Sequence, residues 1–119
     1  MPTPRKGKLL RIFIRETDRW GHQALYEAIV FKARELGLAG ATVLRGPMGF
    51  GAHATLHTSK ILRLAADLPV VIEIVDLEDP IRRLLEAIDP IISEGLVTLE
   101  DGEMIRYRKV EASAPDGPG

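Results

Sequence analysis

The sequence predicts one α+β domain, a four-stranded antiparallel sheet with two helices on one of its faces. Three observations predict it. Short runs place apolar residues at a two-residue period, and two longer segments place them along one helical stripe. These segments follow the order strand, helix, strand, strand, helix, strand. The chain has 119 residues and is 45% hydrophobic. A chain of that size buries roughly 65% of the surface its unfolded form exposes, enough for a core without staples.

Lys8 to Arg15 reads as the first strand. Leu10, Ile12 and Ile14 share one face, and Leu9 and Phe13 share the other with Arg11 and Arg15. Thr17, Asp18, Trp20 and Gly21 form a loop. Gln23 to Leu36 is helical, with Leu25, Ala28, Ile29, Ala33 and Leu36 on its apolar stripe. Gly37 stands where a helix stops in the left-handed conformation. Ala41 to Arg45 is the second strand, and the three glycines of Gly46 to Gly51 then break regularity. His53 to Leu68 fits either a short helix or the stem of an extended loop. Pro69 to Val75 is a strand with few polar positions. Asp79 and Pro80 read as the N-cap and first residue of the second helix. Its stripe is Ile81, Leu84, Leu85 and Ile88, and Pro90 kinks or ends it. Glu94 to Thr98 is a loop entering a short strand. Met104 to Val110 is the last strand, with Met104, Arg106 and Arg108 on one face. Residues 1–110 thus make one domain, and the Pro/Gly/Ala/Ser-rich residues 111–119 a disordered tail.

This order is the split βαβ, or ferredoxin-like βαββαβ, arrangement. Its second sheet face lacks helices, yet Leu9, Phe13 and the Val70–Val75 run place apolar groups there. An open apolar sheet face marks an interface, so the chain is expected to oligomerise through its sheets.

Composition narrows the function. Sixteen basic and 17 acidic residues leave a net charge of -1, unlike the basic surface of a nucleic-acid binder. The absence of cysteine excludes disulfides and thiolate metal sites and fits a reducing, cytoplasmic setting. No apolar run approaches the ~20 residues of a membrane helix. The start, Met1 to Lys6, lacks the apolar stretch of a signal peptide. Eleven of the 16 basic residues are Arg, the better fork for phosphate and carboxylate.

A resemblance enters through particular residues. Gly37-Leu38-Ala39-Gly40-Ala41-Thr42-Val43 runs into Leu44-Arg45-Gly46 and Gly49-Phe50-Gly51. His57-Thr58 follows, then Asp67 to Asp76, then Glu94-Gly95-Leu96-Val97-Thr98. From about Gly7 to Tyr107 the chain resembles a bacterial and archaeal family of unknown function that is distantly similar to the nitrogen regulatory P-II signalling proteins. The resemblance implies a ferredoxin-like trimer that binds an adenine nucleotide in clefts between subunits. It implies a loop between the second and third strands that reports the ligand state to a partner, a membrane transporter or channel by analogy. It also implies that Glu94, Gly95, Leu96 and Val97 face the phosphates, with Arg106 and Arg108 supplying charge. The family's lysine in that stretch is absent, Leu96 standing nearest to it. The departure weighs against ATP as the ligand. The tyrosine-modification segment of the family's loop is also absent.

Each candidate has a bland reading beside the functional one. Gly46, Gly49 and Gly51 let backbone amides approach a phosphate, or form a bulge and turn. Phe50 lies within that segment. Arg106 and Arg108 bind phosphate by their forks, or form a solvated strand face paired with Asp101 and Glu103. His53 and His57, four apart, suit a metal on a helix, or are polar loop side chains. His57 alone suits a hydrogen bond to a ligand. Lys60 and Arg63 form a basic surface for an anion or partner, or a solvated face. Trp20 reads as a packing anchor rather than a ligand stacker. Asp76, Glu78 and Asp79 cluster as a magnesium site would, though helix capping explains Asp79. No catalytic set assembles, since Ser59 and Ser93 lack a nucleophile-elbow context.

The leading expectation is therefore an oligomeric sensor of a small anionic ligand, in which Gly46 to Leu68 changes order on binding. The rival is a metal-responsive trimer similar to the copper-tolerance A proteins. A small enzyme and a purely structural subunit are the remaining alternatives.

Overall fold

A computed structural model describes residues 2–49, 57–58 and 67–108. Four strands form the main sheet: β1 (Arg5–Arg15), β4 (Thr42–Arg45), β7 (Pro69–Asp76) and β8 (Leu96–Met104). Two small hairpins accompany it. One joins β2 (Arg19–Trp20) to β3 (Gln23–Ala24), and the other pairs β5 (Met48–Gly49) with β6 (His57–Thr58). The helices are α1 (Leu25–Glu35) and α2 (Glu78–Ile88), with a 3₁₀ turn at Asp89–Ile91.

The strand order is β4-β7-β1-β8, every neighbour antiparallel. Each helical connection skips one strand, so the two βαβ units interleave. This is the ferredoxin-like topology that the element order predicts.

The two-residue period decides which side chains face the helices. Leu10, Ile12 and Ile14 of β1 and Val70, Ile72 and Ile74 of β7 are buried. They pack with Leu25, Ile29 and Ala33 of α1 and Ile81, Leu84 and Ile88 of α2. Gly37 takes φ of 81°, the left-handed stop expected after α1. Leu36 and Gly37 donate their N–H groups back to Lys32 and Arg34 there. The α-helix ends at Ile88, two residues before Pro90.

Several boundaries differ from expectation. β1 starts at Arg5 rather than Lys8. The segment after β1 is a hairpin turning at Gly21, whose φ is 64°, so Gln23 belongs to β3 and α1 begins at Leu25. The N-cap of α2 is Leu77, not Asp79, which lies inside the first turn with Pro80. Asp76 explains the shift. Its carboxylate, 7% exposed, accepts the Leu77 N–H at 2.7 Å and the Ala39 N–H at 2.9 Å. One buried side chain thus ties the exit of α1 to the entrance of α2.

The largest correction concerns the last strand. It spans Leu96–Met104 instead of Met104 to Val110, and it incorporates the stretch expected as a loop from Leu96 onward. The reason is the partner. Leu96 pairs with Phe13 and Met104 with Arg5, the first residue of β1, where the ladder runs out. Arg106 and Arg108 therefore lie beyond the strand. The proposed tail, residues 111–119, is outside the described residues.

The face away from the helices is layered. Leu44, Val71, Phe13 and Leu96 align across all four strands. Phe13, Leu44 and Leu96 are 37%, 47% and 60% exposed. A polar row follows, in which Arg11 Nε bonds Glu73 at 2.9 Å and its Nη1 lies 3.6 Å from Glu100. Among the described residues nothing covers this face.

Candidate functional site

The predicted site residues fall at two opposite ends of the sheet. At one end β1 finishes, β4 finishes, and β7 and β8 begin. Gly46 donates its N–H to the Pro69 carbonyl at 2.8 Å, fixing the exit from β4. Gly49 sits in β5 opposite His57. A Cβ at Gly49 would meet Pro69 Cγ at 2.9 Å, so packing alone asks for a small residue there. Gly95 takes φ of 154°, and a Cβ would lie 2.9 Å from the Phe13 carbonyl oxygen. Glu94 and Gly95 thus form a tight turn into β8. Leu96 and Val97 follow at the exposed edge of the sheet. Gly46 and Leu96 are near the outer strands β4 and β8, roughly 14 Å apart across three strand spacings. Phe50, Gly51, His53, Lys60 and Arg63 lie outside the described residues, as does the side chain of His57.

The same end holds an ion-pair junction that the sequence did not reveal. Arg45, one residue before Gly46, bonds Glu16 at 2.8 Å and the Tyr26 hydroxyl at 3.0 Å. The hydrogen bond to Glu16 chiefly raises the pKa of the Arg45 guanidinium. Asp67 accepts from Arg15 at 3.3 Å and from the Thr17 hydroxyl. The Glu16 N–H also bonds the Leu68 carbonyl at 2.9 Å. Arg15 to Thr17 therefore holds both residue 45 and residues 67–68. The partners are 29 to 52 residues apart in the chain, so no local pattern could disclose them.

At the opposite end, a cleft of about 400 Å³ is lined by Thr3, Arg5, Asp76, Met104, Arg106 and Arg108, with Pro2 and Leu77. Arg106 and Arg108 both line this cleft, but beyond the strand rather than on the strand face expected for them. None of the three arginines has a carboxylate partner among the described residues. The salt-bridged reading with Asp101 and Glu103 does not hold, because Asp101 pairs with Lys8. That hydrogen bond raises the Lys8 pKa and lowers that of Asp101. Arg5 is the residue the sequence reading missed. Pro4 and Gly7 disguise the start of β1, and only the ladder to Met104 places Arg5 beside the later arginines. Gly7 allows the approach, since a Cβ there would meet Met104 Sδ at 2.8 Å and the Asp76 carbonyl at 2.9 Å.

The two ends are separated by the length of β8, roughly 27 Å for nine residues. A single copy does not bring Glu94 to Val97 together with Arg106 and Arg108. The magnesium alternative for Asp76, Glu78 and Asp79 finds no support either, because both Asp76 oxygens accept backbone N–H groups. Among the described residues no three His, Asp or Glu side chains gather as metal ligands. No described helix is long and apolar enough to cross a membrane.

Interleaved βαβ units with an open sheet face define a ferredoxin-like α+β domain. The chain belongs to the DUF190 family, described as uncharacterized ACR, whose model matches residues 7–104. A UPF0166 protein of Aquifex aeolicus is 43% identical over 100 residues, covering 84% of this chain and 94% of the relative. A UPF0166 protein of Methanocaldococcus jannaschii is 36% identical over 97 residues, covering 81% of this chain and 89% of that one. Among solved structures, CPII of Thiomonas intermedia K12, a nitrogen regulatory PII-like protein bound to ADP, AMP and bicarbonate, superimposes with a TM-score of 0.68. That match covers 89% of this chain and 94% of CPII at 19% identity, and establishes the shared fold.

Proposed function

We propose that this chain is a regulatory subunit of the PII-like kind that binds an adenine nucleotide between copies and reports it through residues 46–68 to a partner protein. The observation that carries the reading is the cleft of Arg5, Arg106 and Arg108. Three arginines line it without a carboxylate ion-pair partner among the described residues, the Asp76 oxygens on its lining being taken by backbone amides. Such a set calls for an anion with several oxygens, and a polyphosphate fits it.

The separation of the two candidate segments supports a site shared between copies. The open apolar row on the sheet supplies the surface on which copies would meet, and a trimer is the assembly the resemblance implies. A second copy then brings its Glu94 to Val97 turn toward the arginines of the first. The 19%-identical CPII is described with ADP and AMP, which supports the ligand class. A membrane transporter or channel remains the partner implied by resemblance, and the cytoplasm the compartment.

The test is thermal unfolding against AMP, ADP, ATP, cyclic AMP and bicarbonate. A ligand at 100 times its Kd stabilises by about 2.7 kcal/mol. An adenine nucleotide should raise the midpoint, and Arg106→Ala with Arg108→Ala should abolish the rise. No shift with any nucleotide overturns the reading.

A further inference from the structure

We propose that the cleft beside the β2–β3 hairpin receives the adenine base, stacked on Trp20. This inference rests on the nucleotide reading above and adds the element that would recognise the base.

Trp20 is the chain's sole tryptophan, and it is 49% exposed. Its expected role as a packing anchor is therefore not fulfilled within one copy. The hairpin backbone that carries it is nevertheless held in place. Trp20 pairs with Gln23 across a turn at Gly21. The Arg19 guanidinium closes that turn by donating to the His22 carbonyl at 2.7 Å. Below it, Leu25 N–H bonds the Asp18 carbonyl at 2.8 Å, and Arg15 N–H bonds the Asp18 carboxylate at 2.9 Å. A backbone braced in advance loses little freedom when a ligand stacks on the ring it presents.

The cleft it borders is about 740 Å³, within the range of small-molecule sites. Trp20, His22, Gln23, Tyr26, Glu27, Arg19 and Glu16 are among the residues that line it. Its charges nearly cancel. Glu16 is taken by Arg45, which leaves one formal charge of each sign on the lining, Arg19 and Glu27. A neutral cleft suits an uncharged heteroaromatic base better than a phosphate. The Gln23 amide and His22 ring have no hydrogen-bond partner among the described residues, and a glutamine amide matches the N6/N7 edge of adenine. Tyr26 leads onward, because its hydroxyl accepts from Arg45, the residue before Gly46. The base cleft thus lies beside Arg45, which leads into the segment that the functional reading assigns to reporting the ligand. A second copy is the competing cover for Trp20. The uncovered apolar row lies on the other face of the sheet, away from α1, which leaves the hairpin cleft to a polar, planar guest.

The experiment is a titration of the oligomer with AMP and ADP, read by tryptophan fluorescence and by calorimetry. With a single tryptophan, all tryptophan emission comes from position 20. Saturable quenching whose midpoint matches the calorimetric Kd is expected. Trp20→Ala should weaken binding about 10-fold, the loss of one base–aromatic stack, and Trp20→Phe should largely retain it. Calorimetric binding with unchanged emission and an unchanged Trp20→Ala Kd overturns this inference while leaving the nucleotide function standing. Emission shielded from acrylamide before any nucleotide, and exposed only on dissociation to single copies, also overturns it and assigns Trp20 to the interface. Absence of binding by both readouts overturns both proposals.

Discussion

Asp76 shows how much one residue can fix. It is the sole polar side chain among the described buried residues, and both oxygens accept backbone N–H groups. Its replacement by Ala leaves two amides without that acceptor, which costs about 2–4 kcal/mol. Asn keeps one acceptor and should recover only part of the loss in a urea unfolding series. Gly95 is constrained differently. At φ of 154°, with the Phe13 carbonyl 2.9 Å from a Cβ position, Gly95→Ala should cost about 1–3 kcal/mol. If that variant unfolds with wild-type free energy, the turn into β8 is not the one described. The Lys8–Asp101 pair is a contrasting case. Asp101 is held below its ordinary pKa, so the pair's contribution is present above the usual carboxylate value and fades as pH falls. On Lys8 the sign is opposite, and the contribution fades as pH rises through its raised pKa. Asp101 is exposed, so Asp101→Asn should only slightly flatten the acid limb of midpoint against pH.

The elements were legible where they bury a face. α1, β7 and α2 follow from periodicity because their stripes meet the same core. Leu84, fully buried between α2 and the sheet, should lose about 2–5 kcal/mol on change to Ala. Chevron kinetics or equilibrium urea unfolding measures that loss. β8 was misplaced for the complementary reason. Val97 and Leu99 face the helix side but remain partly exposed, and Leu96, on the other side, is exposed too. A strand that buries little on either face carries a weak period. Its extent is decided by hydrogen bonds to β1, which the local sequence does not record. The Arg15–Thr17 junction likewise depends on partners distant in the chain. Glu16→Gln weakens the Arg45 pair, so it should alter proteolytic cleavage between residues 46 and 66 while leaving the unfolding midpoint nearly unchanged. Identical cleavage would separate the junction from that segment's behaviour.

At the scale of the whole molecule, the open sheet face dominates. Leu44, Val71, Phe13 and Leu96 form an apolar row bounded by the Glu73–Arg11–Glu100 row. A surface of that kind is expected to be covered by another copy. Phe13→Asp places a charge in the middle of the row. Light scattering should then give a mass near the 13.1 kDa of one chain, whereas the unaltered protein should give a multiple of it. A wild-type mass of 13.1 kDa would remove both the oligomer and the shared nucleotide site.

By itself the sequence determined the βαββαβ order, the helix-facing residues of β1 and β7 and the helical stop at Gly37. These depend on periods and backbone preferences that act within a few residues. Tertiary structure decided the end of β8, the exposure of Trp20, the arrival of Arg5 beside the later arginines and the separation of the two candidate segments. Those follow from strand register, and register is settled by the partner strand and the shared core rather than by any local stretch of chain.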